Sequence, residues 1–183
     1  LRGASLSGTE LEDANLAGAD LINVNLNGAF LRGANLTNVS LPTADLSNAT
    51  LDGVQLTNAD LPRANLVDAD LKEADLTDTN LKGSDLARSN LKEADLTNAY
   101  LYNADLTRAN LEKSDLTEAE LPRTDLTSAN LKNADLIDTY LRAANLTETY
   151  LRAADLRDAD LRSADLPRAD LRRADLPDAE LPK

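Results

Sequence analysis

Ala69-Asp70-Leu71-Lys72-Glu73 runs directly into Ala74-Asp75-Leu76-Thr77-Asp78, and the same pattern returns far along the chain as Ala154-Asp155-Leu156-Arg157-Asp158. Working outward from these residues, a leucine stands at every fifth position from Leu1 to Leu181 without one exception. A period of five fits neither regular element. Leucines five apart would alternate sides of a long strand, and on a helix each step would rotate them by about 140°, spreading them round the whole surface. The chain must therefore change direction once per repeat.

The remaining positions show how. Two residues before each leucine sits a small residue. It is usually Ala, with Thr at 9, 79, 124, 139 and 149, Val at 24, 39 and 54, and Ser at 84, 89 and 114. No charge enters this column, and two residues apart on an extended segment means the same face. The small residue and the leucine point inward, and the residue between them, mostly Asp or Asn, points out. The next two residues form a corner. All 7 glycines take its second position and all 6 prolines its first, the sorting expected of β-turns, of type II where glycine follows. Thr takes the first corner position only at residue numbers ending in 7, whereas Lys72, Lys82, Lys92, Lys132, Arg142, Arg152, Arg162 and Arg172 mark numbers ending in 2. That ten-residue alternation fits a four-sided coil and would scramble in a three-sided one. With strands ~4.8 Å apart, about nine coils of twenty residues predict a rod ~45 Å long.

The repeat resembles the pentapeptide-repeat family, A(D/N)LXX, over essentially all of residues 1–183. The resemblance implies an all-β, right-handed quadrilateral parallel β-helix with the leucine and the small residue inside. It implies a non-catalytic structural or protein-interaction scaffold. For members resembling quinolone-resistance proteins it implies mimicry of duplex DNA in the modulation of DNA gyrase or another topoisomerase. Gyrase-directed members often place Phe at the central position and dimerise through a C-terminal module; here every central residue is Leu. A third reading of the regularity is a designed or consensus-like repeat protein without a natural partner.

Composition narrows the function. With no His and no Cys, the usual bases, thiol nucleophiles and imidazole ligands are missing, so neither an enzyme nor a cofactor or metal site is expected. The absence of Cys also leaves the redox compartment unread. Carboxylates suit Ca²⁺, but no ligand loop of recognisable spacing occurs. A net charge of −13 repels phosphates, arguing against direct nucleic-acid binding and allowing a basic protein partner. No apolar run approaches a membrane span and no signal peptide is seen, which favours a soluble, cytoplasmic chain. Charge is uneven: residues 1–60 carry only Arg2 and Arg32 as cations, and residues 142–183 are rich in Arg. The chain reads as one domain, 1–183, without a capping element at either end. It starts on a leucine already in register, so it reads as a trimmed form or a piece of something longer. Open β-helix ends invite pairing, so missing sequence, end-to-end self-association or a homodimer is expected to cover them.

The candidate binding residues form a column. On a twenty-residue coil Asn15, Asn35, Gln55, Asp75, Asp95, Asp115, Asp135, Asp155 and Asp175 stack, and the adjoining corner adds Asp78, Glu118, Asp138, Asp158 and Asp178. One reading is a phosphate-mimicking edge for a basic DNA-binding groove. The other is that Asp and Asn bond to the turn backbone while the acids supply solubility. Lys72, Lys92, Lys132, Arg152 and Arg172, three residues before the aspartates, are expected to pair with them across the corner. The stacked Thr37, Thr57, Thr77, Thr97 and Thr117 sit at a corner, where Thr suits turn hydrogen bonds, rather than on a flat ice-ordering face.

Overall fold

A computed structural model describes residues 1–183. The chain is a right-handed quadrilateral β-helix, all-β throughout. Every side pairs in parallel with the side twenty residues on, as in Asn65↔Asp85, Asp70↔Asn90, Asp75↔Asp95 and Asn80↔Tyr100. The four faces are numbered here by the first outward residue of each: face 1 from Ser5, face 2 from Glu10, face 3 from Asn15 and face 4 from Asp20. Edges take the numbers of the faces they join, so residues 17, 18, 37 and 38 begin edge 3/4, and residues 2, 3, 22 and 23 begin edge 4/1. No helix of the structure is long and apolar enough to cross a membrane.

Backbone hydrogen bonding explains why the repeat needs so few side-chain types. Three bonds per side link successive coils, for example Leu66 N to Asp85 O (2.6 Å), Asp85 N to Ala64 O (3.0 Å) and Asp68 N to Ala87 O (3.1 Å). A fourth closes the turn, Ala69 N to Leu66 O at 3.1 Å. The one donor outside this scheme is the N–H of the first corner residue. The outward Asp or Asn two residues earlier accepts it, as at Val67 N to Asn65 Oδ1 (3.2 Å), Ala87 N to Asp85 Oδ1 (3.0 Å) and Thr107 N to Asp105 Oδ1 (2.8 Å). This is an Asx turn. Proline, which has no N–H, fits the same position without such an acceptor; Ser40 and Glu120 precede Pro42 and Pro122.

The second corner residue is left-handed at every corner, with φ between 54° at Asp13 and 66° at Gly18, whether or not it is glycine. Asn and Asp tolerate this region, and Gly prefers it. Thr43, at φ 56°, is the β-branched exception, a backbone conformation that such a side chain adopts only under strain.

Inside, 51 buried residues form one continuous cluster running from Leu21 to Ala164. The leucines of that span are at most 1% exposed. Full burial of each contributes roughly 1.5–3 kcal/mol against chain entropy. Where Thr replaces Ala in the small column its hydroxyl donates to a leucine carbonyl, that of its own turn at Thr9 (Leu6 O, 2.7 Å) and that of the preceding coil at the other four. Thr79, Thr124, Thr139 and Thr149 reach Leu56, Leu101, Leu116 and Leu126 at 2.8–2.9 Å. Toward the termini the leucines open to solvent, Leu1 being 66% and Leu181 56% exposed.

Candidate functional site

Face 3 brings Asp75, Asp95, Asp115, Asp135, Asp155 and Asp175 into one file through consecutive parallel bridges. Asp75, Asp95 and Asp115 each take the amide of Thr77, Thr97 and Thr117 on Oδ1, at 3.0, 2.9 and 2.9 Å. Asp75 also accepts from Thr57 Oγ1 on Oδ2, at 2.7 Å. Asp155 is gripped by the Arg157 guanidinium, with Nη2 to Oδ2 at 2.6 Å, besides accepting the Arg157 amide. The carboxylates of Asp135 and Asp175 accept no intramolecular hydrogen bond.

These partners set the charge states. At Asp75 burial is the largest influence and pushes the carboxyl up, yet the donors from Thr57 and Thr77 outweigh it and leave the group below its ordinary value. The Arg157 hydrogen bond lowers Asp155. Asp135 goes the other way: burial raises it first, then the neighbouring charges of Asp115 and Asp155.

The turn alone does not call for this charge. On face 2 Asn90, Asn110 and Asn130 make the same Asx bonds, to Lys92, Glu112 and Lys132, at 3.3–3.4 Å. They also ladder along the rod, Asn110 Nδ2 to Asn90 Oδ1 at 3.1 Å and Asn130 Nδ2 to Asn110 Oδ1 at 2.9 Å. Ionised aspartates have no donor for such a ladder, and like charges directly opposite across a β pairing are destabilising. Face 3 carries a file of charge that the turn could do without.

The expected cross-corner neutralisation of that file does not occur. Lys72 pairs with Glu73 at 2.7 Å, Lys132 with Glu112 at 3.2 Å and Arg172 with Asp170 at 2.6 Å. Lys92 lies 4.0 Å from Glu93, and Arg152 is in no ion pair. Acids on the same edge or on face 2 take Lys72, Lys92, Lys132 and Arg172 instead, and Oδ1 of several face 3 aspartates is already tied to the following turn.

Phase along the rod also separates two basic groups that residue numbers ending in 2 had merged. Lys72, Lys92 and Lys132 belong to edge 2/3, among acids. Lys82, Arg142 and Arg162 belong to edge 4/1 together with Arg2, Arg63, Arg123 and Lys183, and that edge contains no Asp or Glu at all. Sorting both corner positions by a period of twenty, rather than ten, would have exposed it. No group of acidic side chains is arranged to hold a metal ion.

A family model described as pentapeptide repeats matches in 8 copies, over residues 1–38, 41–78, 74–112, 104–142 and 139–178. Among solved structures, HetL, a pentapeptide repeat protein involved in heterocyst differentiation regulation in the cyanobacterium Nostoc, is 35% identical over 96% of this chain and 84% of its own, with a TM-score of 0.43. A trypsin-treated variant of QnrB1, a plasmid-mediated fluoroquinolone resistance protein, is 17% identical over 98% and 90%, with a TM-score of 0.52, a likeness of fold. A pentapeptide repeat protein of the Arabidopsis thaliana thylakoid lumen is 33% identical over 54% and 65%, with a TM-score of 0.40. Comparison with curated proteins finds no match.

Proposed function

The chain belongs to the pentapeptide-repeat family, and from that premise we propose that it is a non-catalytic scaffold that engages a basic protein partner along edge 3/4 and the aspartate file beside it. The observation carrying this reading is the unbroken run Asp75 to Asp175, where an uncharged Asn makes the same turn bond at Asn35 of the same face, at 3.1 Å, and at Asn90, Asn110 and Asn130 of face 2. A labelled twelve-residue oligolysine peptide tests it by fluorescence anisotropy. Binding should weaken at least tenfold in the triple variant Asp95→Lys, Asp115→Lys, Asp135→Lys. Equal binding by parent and variant would reduce the file to a structural role.

A second reading, a DNA-mimicking modulator of a topoisomerase, draws on charge density. Duplex DNA carries one charge per ~1.7 Å. The file alone supplies one carboxylate per ~4.8 Å coil. Asp78, Glu118, Asp138, Asp158 and Asp178 nearly double that, to about one per 2.4 Å. A gyrase supercoiling assay separates the two readings. The mimic must alter supercoiling and lose that effect in the triple variant; a scaffold with another basic partner leaves gyrase untouched.

A further inference from the structure

The acidic edge lies one face away from its electrostatic opposite. Edge 4/1 carries Arg2, Arg63, Lys82, Arg123, Arg142, Arg162 and Lys183, and no acid in any of its positions from 2 to 183. In a chain of net charge −13 this is the strongest local departure from the background. Pairing sharpens it. Cations on the other edges mostly meet an acid: Arg88 meets Asp68 at 2.7 Å, Lys113 meets Glu93 at 3.1 Å and Arg168 meets Glu148 at 2.6 Å. On edge 4/1 only Arg2 and Arg162 do so. Arg63, Lys82, Arg123, Arg142 and Lys183 are exposed and in no ion pair. The other unpaired cations, Arg108, Arg152 and Arg173, stand on edges that also carry Asp or Glu.

The centre of this edge is aromatic. From residue 63 to residue 183 every coil presents a cation there except one, and that coil presents Tyr102. Its ring is 37% exposed. Lys82 Nζ lies 5.5 Å from the ring centroid, and Arg123 Nη1 donates to the phenolic oxygen at 3.2 Å. The ring divides two grooves. One, of about 370 Å³, is walled by Pro42, Pro62, Arg63 and Lys82; the other, of about 420 Å³, by Pro122, Arg123 and Arg142. Prolines and a tyrosine give apolar contact at low conformational cost, while cations on either side give charge.

We propose that edge 4/1 is a second docking surface, and that its occupant is an acidic, extended protein segment whose carboxylates meet Arg63, Lys82, Arg123 and Arg142 while an apolar side chain seats against Tyr102. The acids of edge 3/4 lie across a three-residue strand, roughly 10 Å, beyond the Debye length of ~8 Å at physiological salt, so the field at edge 4/1 is set by its own cations and by the acids of the flanking faces 4 and 1, among them Asp60, Glu120, Asp85, Asp105 and Asp125. A narrow peptide uses that field. A nucleic-acid duplex, wider than one edge, would overlie the acids of face 4 and edge 3/4 and be repelled. The chain would then hold a basic partner on one edge and an acidic one on the next.

The probe is a fluorescein-labelled twelve-residue peptide of alternating Glu and Leu, followed by anisotropy at rising salt. It should bind, weaken as salt rises, and lose at least tenfold in affinity in the triple variant Arg63→Glu, Arg123→Glu, Arg142→Glu. Tyr102→Ala should cost three- to tenfold. Lys113→Glu with Lys132→Glu, on edge 2/3, should leave binding within twofold, as should the triple aspartate variant of face 3. The proposal thus stands or falls separately from the acidic edge. Circular dichroism of each variant keeps folding out of the comparison. The proposal is overturned if a Gln–Leu peptide binds as well, if the cation triple variant binds unchanged, or if a twelve-nucleotide oligo-dT binds as tightly. It is equally overturned if sedimentation shows a self-association that the triple variant abolishes, which would make a second copy the occupant.

Discussion

Ser84 and Ser89 occupy the same inward column on adjacent sides, both about 1% exposed. The Ser84 hydroxyl donates to Leu81 O at 2.7 Å, whereas the Ser89 hydroxyl has no partner. A buried unsatisfied hydroxyl costs about 1–3 kcal/mol, while a satisfied one contributes about 0.5–1.5. Ser89→Ala should therefore stabilise the protein by about 1 kcal/mol and Ser84→Ala should destabilise it slightly, opposite signs that urea unfolding reads directly. A second pair of opposites lies in the carboxylates. Asp135, raised by burial and by Asp115 and Asp155, favours folding fully only when protonated, and that contribution is lost as pH rises through its raised value. Asp170 is held at about 2 by the hydrogen bond from Arg172, so its contribution is present above the ordinary carboxylate range and is lost as pH falls toward 2. Asp135→Asn should raise the melting temperature at pH 7, and the gain should vanish below pH ~3.5, where the free carboxyl is itself mostly protonated. A gain persisting unchanged at pH 3 would show that charge is not the cause.

At the scale of one side and its corner, the outward Asp or Asn acts through the amide two residues later. Asp105 accepts the Thr107 amide at 2.8 Å and the Thr107 hydroxyl besides, whereas Asp165 precedes Pro167 and has no such amide to serve. Asp105→Ala should cost about 1 kcal/mol by analogy with a lost cap, and Asp165→Ala should fall within about 0.5 kcal/mol of the parent, as surface changes do. Equal losses would mean that the Asx bond is not what this position supplies. The sequence carried most of this element openly. The leucine beat, the uncharged small column and the Gly and Pro sorting are each a steric demand on one position, and such demands leave one residue type behind. Ion pairs were not legible in the same way. Lys72 turning to Glu73 rather than to the aspartate file depends on which carboxylate a flexible side chain reaches first, and spacing along the chain does not rank those distances. The left-handed corners were legible only where Gly stood; elsewhere Asn, Asp, Glu and Arg adopt the same φ because the turn and the ladder over-determine it.

Over the whole molecule, fold and surface obey different periods, and this makes them separable. The core repeats every five residues, since each side buries a leucine and a small residue, whereas the charged edges repeat every twenty. Stability in such a solenoid accumulates between neighbouring coils, so removing whole repeats shortens the rod without destroying its core. Deleting residues 111–130 removes one full coil and leaves every downstream residue on its own edge. Deleting only residues 111–115 also preserves the beat of leucines, but it turns everything downstream by one face. Edge 4/1 would then receive Ser128, Glu148 and Arg168 in place of Arg123, Arg142 and Arg162, Lys183 would leave it for edge 3/4, and the file of face 3 would continue through Glu120 and Tyr140 instead of Asp115 and Asp135. Both proteins should give the β spectrum of the parent and unfold cooperatively. The twenty-residue deletion should bind the Glu–Leu peptide within about threefold of the parent, because each coil removed takes away one modest, screened contact. The five-residue deletion should bind at least tenfold more weakly, having exchanged cations for an acid. If the smaller deletion binds as well as the larger one, recognition follows composition rather than phase, and neither edge is a surface in its own right.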